Sequence, residues 1–207
     1  MSLCSTASSG VLTLAFDTAT SAATAALVRD GEVLGEAVSR AVRVLEDVDG
    51  LFRESGVART ELSGIVVGTG PGSFTGLRMG VAAARGLAFA LEIPVAGIST
   101  LAALAAGAPG ALPVVDAGRR EVFTLHKGEP VVCAPGDIEL DPETVCVGDG
   151  AVRYRTVLDE RGARVPPDGD ERHLPRARFH AALAREFGPA DAVEPLYMRI
   201  PDAERKA

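Results

Sequence analysis

An apolar run from Val11 to Phe16, broken only by Thr13, stops at Asp17-Thr18-Ala19-Thr20-Ser21, and a second run, Ala26-Leu27-Val28, leads into Arg29-Asp30-Gly31-Glu32. Asp-Gly between two apolar runs is a hairpin signal, because both central positions of a type I′ turn need positive φ. Three antiparallel strands are predicted. Ala41, Val44, Leu45, Val48, Leu51 and Phe52 then fall at helical spacing, with Glu46, Asp47, Asp49 and Glu54 on the other side, and the stripe ends at Gly56. Ile65-Val66-Val67 predicts a buried strand. It runs into Gly68-Thr69-Gly70-Pro71-Gly72-Ser73, a helix from about Thr75 to Leu91, a short strand at Pro94 to Ala96 and a helix near Ser99 to Ala106.

After a Gly/Pro-containing segment at Gly107 to Gly110, the pattern restarts. Strands are predicted at Leu112 to Val115, Glu121 to His126 and Val131 to Cys133, and Val145-Cys146-Val147-Gly148-Asp149-Gly150 parallels Val66-Val67-Gly68-Thr69-Gly70. Asp17 to Gly68 spans 51 positions but Asp116 to Gly148 only 32, so the second copy lacks the helix between its third and fourth strands. A duplicated βββαβαβα unit is the α/β architecture of the actin-like, RNase H-like superfamily, here with a reduced second half. The expected division is a disordered tail or expression remnant over 1–10, a first actin-like domain over 11–107 and a reduced second one over 108–207.

Composition narrows the partners. Hydrophobic residues make up 47% and charged residues 24%, which is globular composition. The net charge of -7 repels phosphate backbones, so autonomous nucleic-acid binding would need a local basic patch. Arg153, Arg155, Arg161, Arg164, Arg172, Arg176, Arg178 and Arg185 are interleaved with acidic residues and read as a mixed-charge surface. Cys4, Cys133 and Cys146 are odd in number and lack metal-ligand spacing, which predicts a reducing, cytoplasmic setting. No uncharged apolar stretch approaches the ~18 residues of a membrane span.

Two segments could carry phosphate chemistry. Asp17, Thr18 and Thr20 sit at a strand end, where small residues let backbone approach a phosphate and an Asp can hold Mg²⁺; equally, Asp and Thr can serve a polar turn. Gly70, Gly72 and Ser73 precede a helix N-terminus, a ready anion site, but there is no Walker lysine and no GxGxxG spacing. Ser73 or Thr75 can equally cap the helix. In that helix Gly76, Gly80, Ala84 and Ala88 recur every four residues beside Leu77 and Val81. This smooth stripe can pack inside its own monomer or, together with Val44 and Val48, form a partner interface. His126, His173 and His180 make no HExxH or i,i+4 pair, so no metal site is expected. No GxSxG exists and no cysteine sits at a helix N-terminus, so no catalytic residue is assigned.

LAFDTATSAATAALVRDGEVLGE, GIVVGTGPGSFTGLRMGVAAARGLAFALEIPVAGISTLAAL and VEPLYMRIPDAE together resemble the TsaB (YeaZ) family of tRNA threonylcarbamoyladenosine biosynthesis proteins. The resemblance runs from about Leu12 to Ala203. It implies an inactive cousin of TsaD, the actin-like enzyme that places threonylcarbamoyl on the tRNA adenosine beside the anticodon. TsaD carries a metal-binding histidine pair on a helix; the corresponding stretch here, Ser39 to Ser55, has none. A TsaB-like chain is expected to dock onto TsaD, or to pair with itself when alone, through its first two helices. A TsaE-like ATPase is recruited to the pair, and tRNA is met only through the complex. This chain itself is expected to require no cofactor, with ATP or ADP and Mg²⁺ left to the complex. Arg40-Ala41-Val42-Arg43-Val44-Leu45 departs from the His-Ser-Glu with which many members open the first helix. The competing class is an ATP-binding phosphotransferase or metal-dependent peptidase of the same superfamily.

Overall fold

The computed structural model describes residues 10–198, so Cys4, the tail over 1–9 and Arg199 with the rest of the terminal motif lie outside the described residues. Two sheets organise the chain. Strands β1 (Leu12–Asp17), β2 (Ala23–Arg29) and β3 (Glu32–Ser39) form an antiparallel meander. Asp30 and Gly31 take φ of 49° and 87°, as the type I′ turn demands. A 3-10 turn, Ala41–Arg43, leads into α1 (Val44–Ser55), which ends on Gly56 in the left-handed region at φ 67°. β4 (Leu62–Gly70) and β5 (Val95–Ser99) add in parallel to β1, joined by α2 (Phe74–Leu91), and α3 (Thr100–Gly107) follows β5.

The order of the first sheet is β3-β2-β1-β4-β5. In the second sheet, β6 (Leu112–Gly118), β7 (Glu121–His126), β8 (Glu129–Cys133) and β9 (Cys146–Val147) repeat it as β8-β7-β6-β9, again with the fourth strand parallel to the first. This is the duplicated actin-like arrangement. Where the first copy has α1, the second has only a 3-10 turn, Pro135–Asp137. Short helices α4 (Asp149–Arg153) and α5 (Arg155–Glu160) follow β9.

Alternation along β1 sorts the layers. Leu12, Leu14 and Phe16 pack under α1 and α2 with Val44, Val48, Val81, Ala84 and Ala88, while Ala15 faces α6 (Ala177–Leu183) on the opposite side. A segment that sequence assigns to the second half, Pro175 to Leu196, thus returns to the first sheet. Thr24 Oγ1 donates to Pro175 O at 2.7 Å, Arg176 and Arg178 pair with the buried Glu36 carboxylate, and Val95 and Gly188 exchange two backbone hydrogen bonds of 2.9 Å. Among the described residues no helix is long and apolar enough to cross a membrane.

Candidate functional site

Asp17 ends β1 with its side chain fully buried. Its Oδ1 accepts from Ala19 N at 2.6 Å and its Oδ2 from Thr100 Oγ1 at 2.7 Å. Nε2 of the equally buried His180, on α6, stands 2.8 Å from Oδ2. A Cβ on Gly68 would fall 2.2 Å from Oδ2, so the carboxylate fills the room that glycine leaves. Sequence reasoning did not connect this histidine to Asp17, because a lone His on a short helix has no spacing partner.

The structure brings the two phosphate-loop candidates together, and they fill each other's space. Ser73 N donates to Ala19 O at 2.6 Å, and Thr18 Oγ1 donates to Gly76 O at 2.7 Å. Added Cβ atoms would lie 2.2 Å from Ala19 O at Gly72, 2.0 Å from Thr18 O at Gly76 and 2.3 Å from Thr18 Oγ1 at Gly80. These glycines admit the chain's own backbone. Gly70, at φ 95°, turns the strand end over Leu77, and Thr20 Oγ1 donates back to Ala22 O at 2.8 Å. Ser73 caps α2 by accepting from Gly76 N at 3.3 Å, so Ser73 N and Gly76 N, at the start of the helix, already have partners within the chain.

Between the two sheets lies a cleft of about 340 Å³ lined by Thr20, Ser21, Asp116, Asp149, Arg153 and His173. Its acids are occupied from within. Asp149 accepts from Ser21 N at 3.1 Å, across the cleft, and from Asp116 N at 3.0 Å. Asp116 pairs with Arg153 Nη1 at 2.7 Å and accepts from Gly118 N at 3.1 Å. His173 Nδ1 accepts from Gly148 N at 3.0 Å while Nε2 lies 3.1 Å from Pro166 O, a set of partners that suits a neutral ring with its proton on Nε2. Among the described residues no cluster of three His, Cys, Asp or Glu side chains could hold a metal ion. Burial, helped by the charge of Asp159, pushes the Cys146 thiol up to about 11, and burial also raises Cys133, so neither is poised as a thiolate nucleophile.

The stripe read as partner surface requires a correction. Gly76, Leu77, Gly80, Val81, Ala84 and Ala88 on α2, and Val44 and Val48 on α1, are all buried in the chain's own core, where the small residues let α2 lie close to Thr18 and β4. No partner reaches them without unfolding the sheet. Other apolar residues of these elements are exposed to solvent. Phe89 is 85% exposed, Val42 77% and Leu45 53%, and Ala82 and Gly86 complete the outward stripe of α2, with nothing within 4 Å of a Cβ built on Gly86. The 3-10 turn carrying Val42 packs beside α2 and leads directly into α1, which carries Leu45. The spacing of Ala82, Gly86 and Phe89, four then three, was legible; which of two apolar stripes faces the sheet was not.

The terminal motif forms a strap. Arg85 donates to Val193 O at 3.1 Å and to Asp191 O at 3.0 Å, Leu196 N donates to Thr69 O at 2.8 Å, and Met198 packs with Leu101, Leu104, Val115 and Phe123. It ties α2 to the second sheet.

Residues 20–139 match the family described as "TsaD: tRNA N6-adenosine threonylcarbamoyltransferase". The chain is 32% identical over 220 residues to the tRNA threonylcarbamoyladenosine biosynthesis protein TsaB of Bacillus subtilis, covering 93% of this chain and 96% of that one. It is 37% identical over 205 residues to an uncharacterized protein of Mycobacterium tuberculosis, covering 92% and 93%. Among solved structures it superposes on YeaZ from Pseudomonas aeruginosa with a TM-score of 0.75 at 31% identity, covering 91% of this chain and all of that one.

Proposed function

The chain belongs to the TsaB (YeaZ) family, and from that premise we propose that it is a non-catalytic subunit that docks onto a TsaD-like enzyme and supports threonylcarbamoyl transfer to tRNA adenosine. The observation that carries this reading is a contrast within one helix. The inner stripe of α2 and the loop before it are filled by Thr18 and Ala19, while the outer stripe ends in a phenylalanine open to solvent. A large exposed aromatic beside other apolar residues favours an interaction surface. The docking face comprises Val42, Leu45, Ala82, Gly86 and Phe89; a second copy takes the same face when the enzyme is absent.

A phosphotransferase or peptidase reading has little to stand on. The carboxylates where this fold would hold Mg²⁺ or a metal already have partners in Ala19, Thr100 and His180 on one side of the cleft and Arg153 on the other. In the proposed role this chain needs no cofactor, and ATP or ADP with Mg²⁺ and the TsaE-like ATPase belong to the assembled complex in the cytoplasm. Transfer RNA is met through that complex.

The test is threonylcarbamoyl-tRNA formation with matched TsaC-, TsaD- and TsaE-type proteins, with and without this chain. Dependence on the chain, with a complex forming, supports the reading. Full activity without it, and tight Mg·ATP binding by the chain alone, contradict it.

A further inference from the structure

At about 100° per residue, Phe74, Arg78, Ala82, Arg85, Gly86 and Phe89 fall within a sector of about 120° on α2, so the outward stripe begins at Phe74 and runs about 22 Å along the helix. What flanks the stripe follows from the sheet beneath it. In the strand order β3-β2-β1-β4-β5, α1 packs over β3 and β2, and α2 over β4 and β1. The strap completes the row over β5: a Cβ on Gly97 would lie 3.1 Å from Val193 Cγ1, and Val193 joins the same core as Val81 and Ala84. One face of the first sheet thus carries three ridges side by side, with α2 in the middle.

A single ridge is too small to hold a partner. A stripe about 22 Å long on a helix about 10 Å wide projects roughly 220 Å², whereas each side of a stable interface contributes about 800 Å². Three ridges spaced about 10 Å apart bring the area to roughly 660 Å², close to that size. Apolar exposure is concentrated on the same elements. Of the eleven large hydrophobic side chains exposed among the described residues, six lie on them: Val42, Leu45, Phe74, Phe89, Leu196 and Tyr197.

Tyr197 is held in place on this face. Its ring meets that of Phe74 with centroids 5.1 Å apart, its hydroxyl accepts from Arg78 Nε at 3.0 Å, and Arg78 in turn lies 3.8 Å over the Phe74 ring. Next to it, Leu196 N donates to Thr69 O at 2.8 Å. A tyrosine has only two side-chain torsions, and with ring and hydroxyl both fixed it meets a partner with little further loss of entropy.

We propose that the strap is the third ridge of the docking face, with Tyr197 a contact residue for the TsaD-like subunit and Arg78 the residue that positions it. The proposal rests on the docking reading above and extends it beyond the two helices.

The experiment measures affinity of the full chain for its matched TsaD-like subunit, self-association by sedimentation, and thermal melts, for wild type, Tyr197→Ala, Arg78→Ala, the double variant and Phe89→Asp. Tyr197→Ala is expected to weaken the heterocomplex by about tenfold, as loss of a buried interface tyrosine does, with little change in melting temperature because the side chain is exposed in the free chain. Arg78→Ala is expected to weaken it a few-fold and to add nothing once Tyr197 is already alanine, since it acts through that ring. Hydrogen exchange of the wild-type chain over 191–197 is expected to slow when the TsaD-like subunit is added. If Phe89→Asp abolishes the heterocomplex while Tyr197→Ala leaves it within twofold, or exchange over 191–197 is unchanged while α2 is protected, the role of the strap is overturned and the helical docking face stands. If Phe89→Asp leaves the heterocomplex intact, the docking reading itself fails. An effect of Tyr197→Ala on self-association or tRNA binding alone assigns the strap to a second copy or to RNA and overturns the proposal.

Discussion

Nε2 of His180 stands 2.8 Å from Oδ2 of Asp17, with both side chains fully buried, so the carboxylate at the end of β1 holds α6 against the first sheet. Removing Asp17 also leaves the buried donors Ala19 N and Thr100 Oγ1 without their acceptor, at a cost of about 1–3 kcal/mol for each unsatisfied group. Asp17→Ala is therefore expected to lower the urea midpoint strongly. Any loss of tRNA modification should track the folded fraction, which circular dichroism on the same samples would establish.

Gly80 and Gly86, six residues apart on α2, separate fold from docking. A side chain at Gly80 meets Thr18 Oγ1 at 2.3 Å, whereas one at Gly86 meets nothing within 4 Å. Gly80→Leu is expected to destabilise the fold by at least ~1–3 kcal/mol through overpacking, rather than sparing it as a reading of the small stripe as partner surface would require. Gly86→Leu should leave stability equal or higher, since glycine inside a helix costs about 1 kcal/mol relative to alanine, while blocking close approach of a partner helix. Thermal melts and co-elution with the TsaD-like subunit read the two effects apart.

Gly76→Ala tests the filled loop. Its Cβ would fall 2.0 Å from Thr18 O, which is backbone and cannot swing aside. A loss of about 1–3 kcal/mol is expected in chemical denaturation. No change would mean the loops stand further apart than described, with room for a phosphate.

Stability should also fall at high pH through Cys146. Burial raises its thiol to about 11 in the folded chain, above its unfolded value, so the folded state holds the proton more tightly. The contribution is fully present below the unfolded pKa and is lost as pH rises through about 11. Urea midpoints across that range, compared with Cys146→Ala, would show the slope in the wild type and a shallower one in the variant.

Much of the fold was legible because turn chemistry and periodicity are local. Asp30-Gly31 and Lys127-Gly128 supply the positive φ their hairpins need. The turn after β6 was harder to read: Arg119 and Arg120 take φ of 53° and 62°, a conformation their residue types do not announce. Nor could sequence send α6 back to the first sheet, since Ala177-Arg178-Phe179-His180 fits any amphipathic helix and its target is set by Glu36, more than a hundred residues earlier. The sequence offered the two loops as separate candidates and the fold sets them side by side, but glycine next to Asp and Thr looks the same whether a phosphate or the chain's own carbonyl occupies the space. Only Ala19 O and Thr18 O, seen in place, tell them apart.

The most direct test of the central claim is the rate of threonylcarbamoyl-tRNA formation in the reconstituted reaction, with Phe89→Asp and Asp116→Asn compared against wild type. Phe89 is on the outer face and Asp116 lines the cleft, paired with Arg153. The account predicts that Phe89→Asp loses most of the activity together with the TsaD complex, while Asp116→Asn retains it. Loss with Asp116→Asn in a folded, complexed protein, and retention with Phe89→Asp, would contradict it.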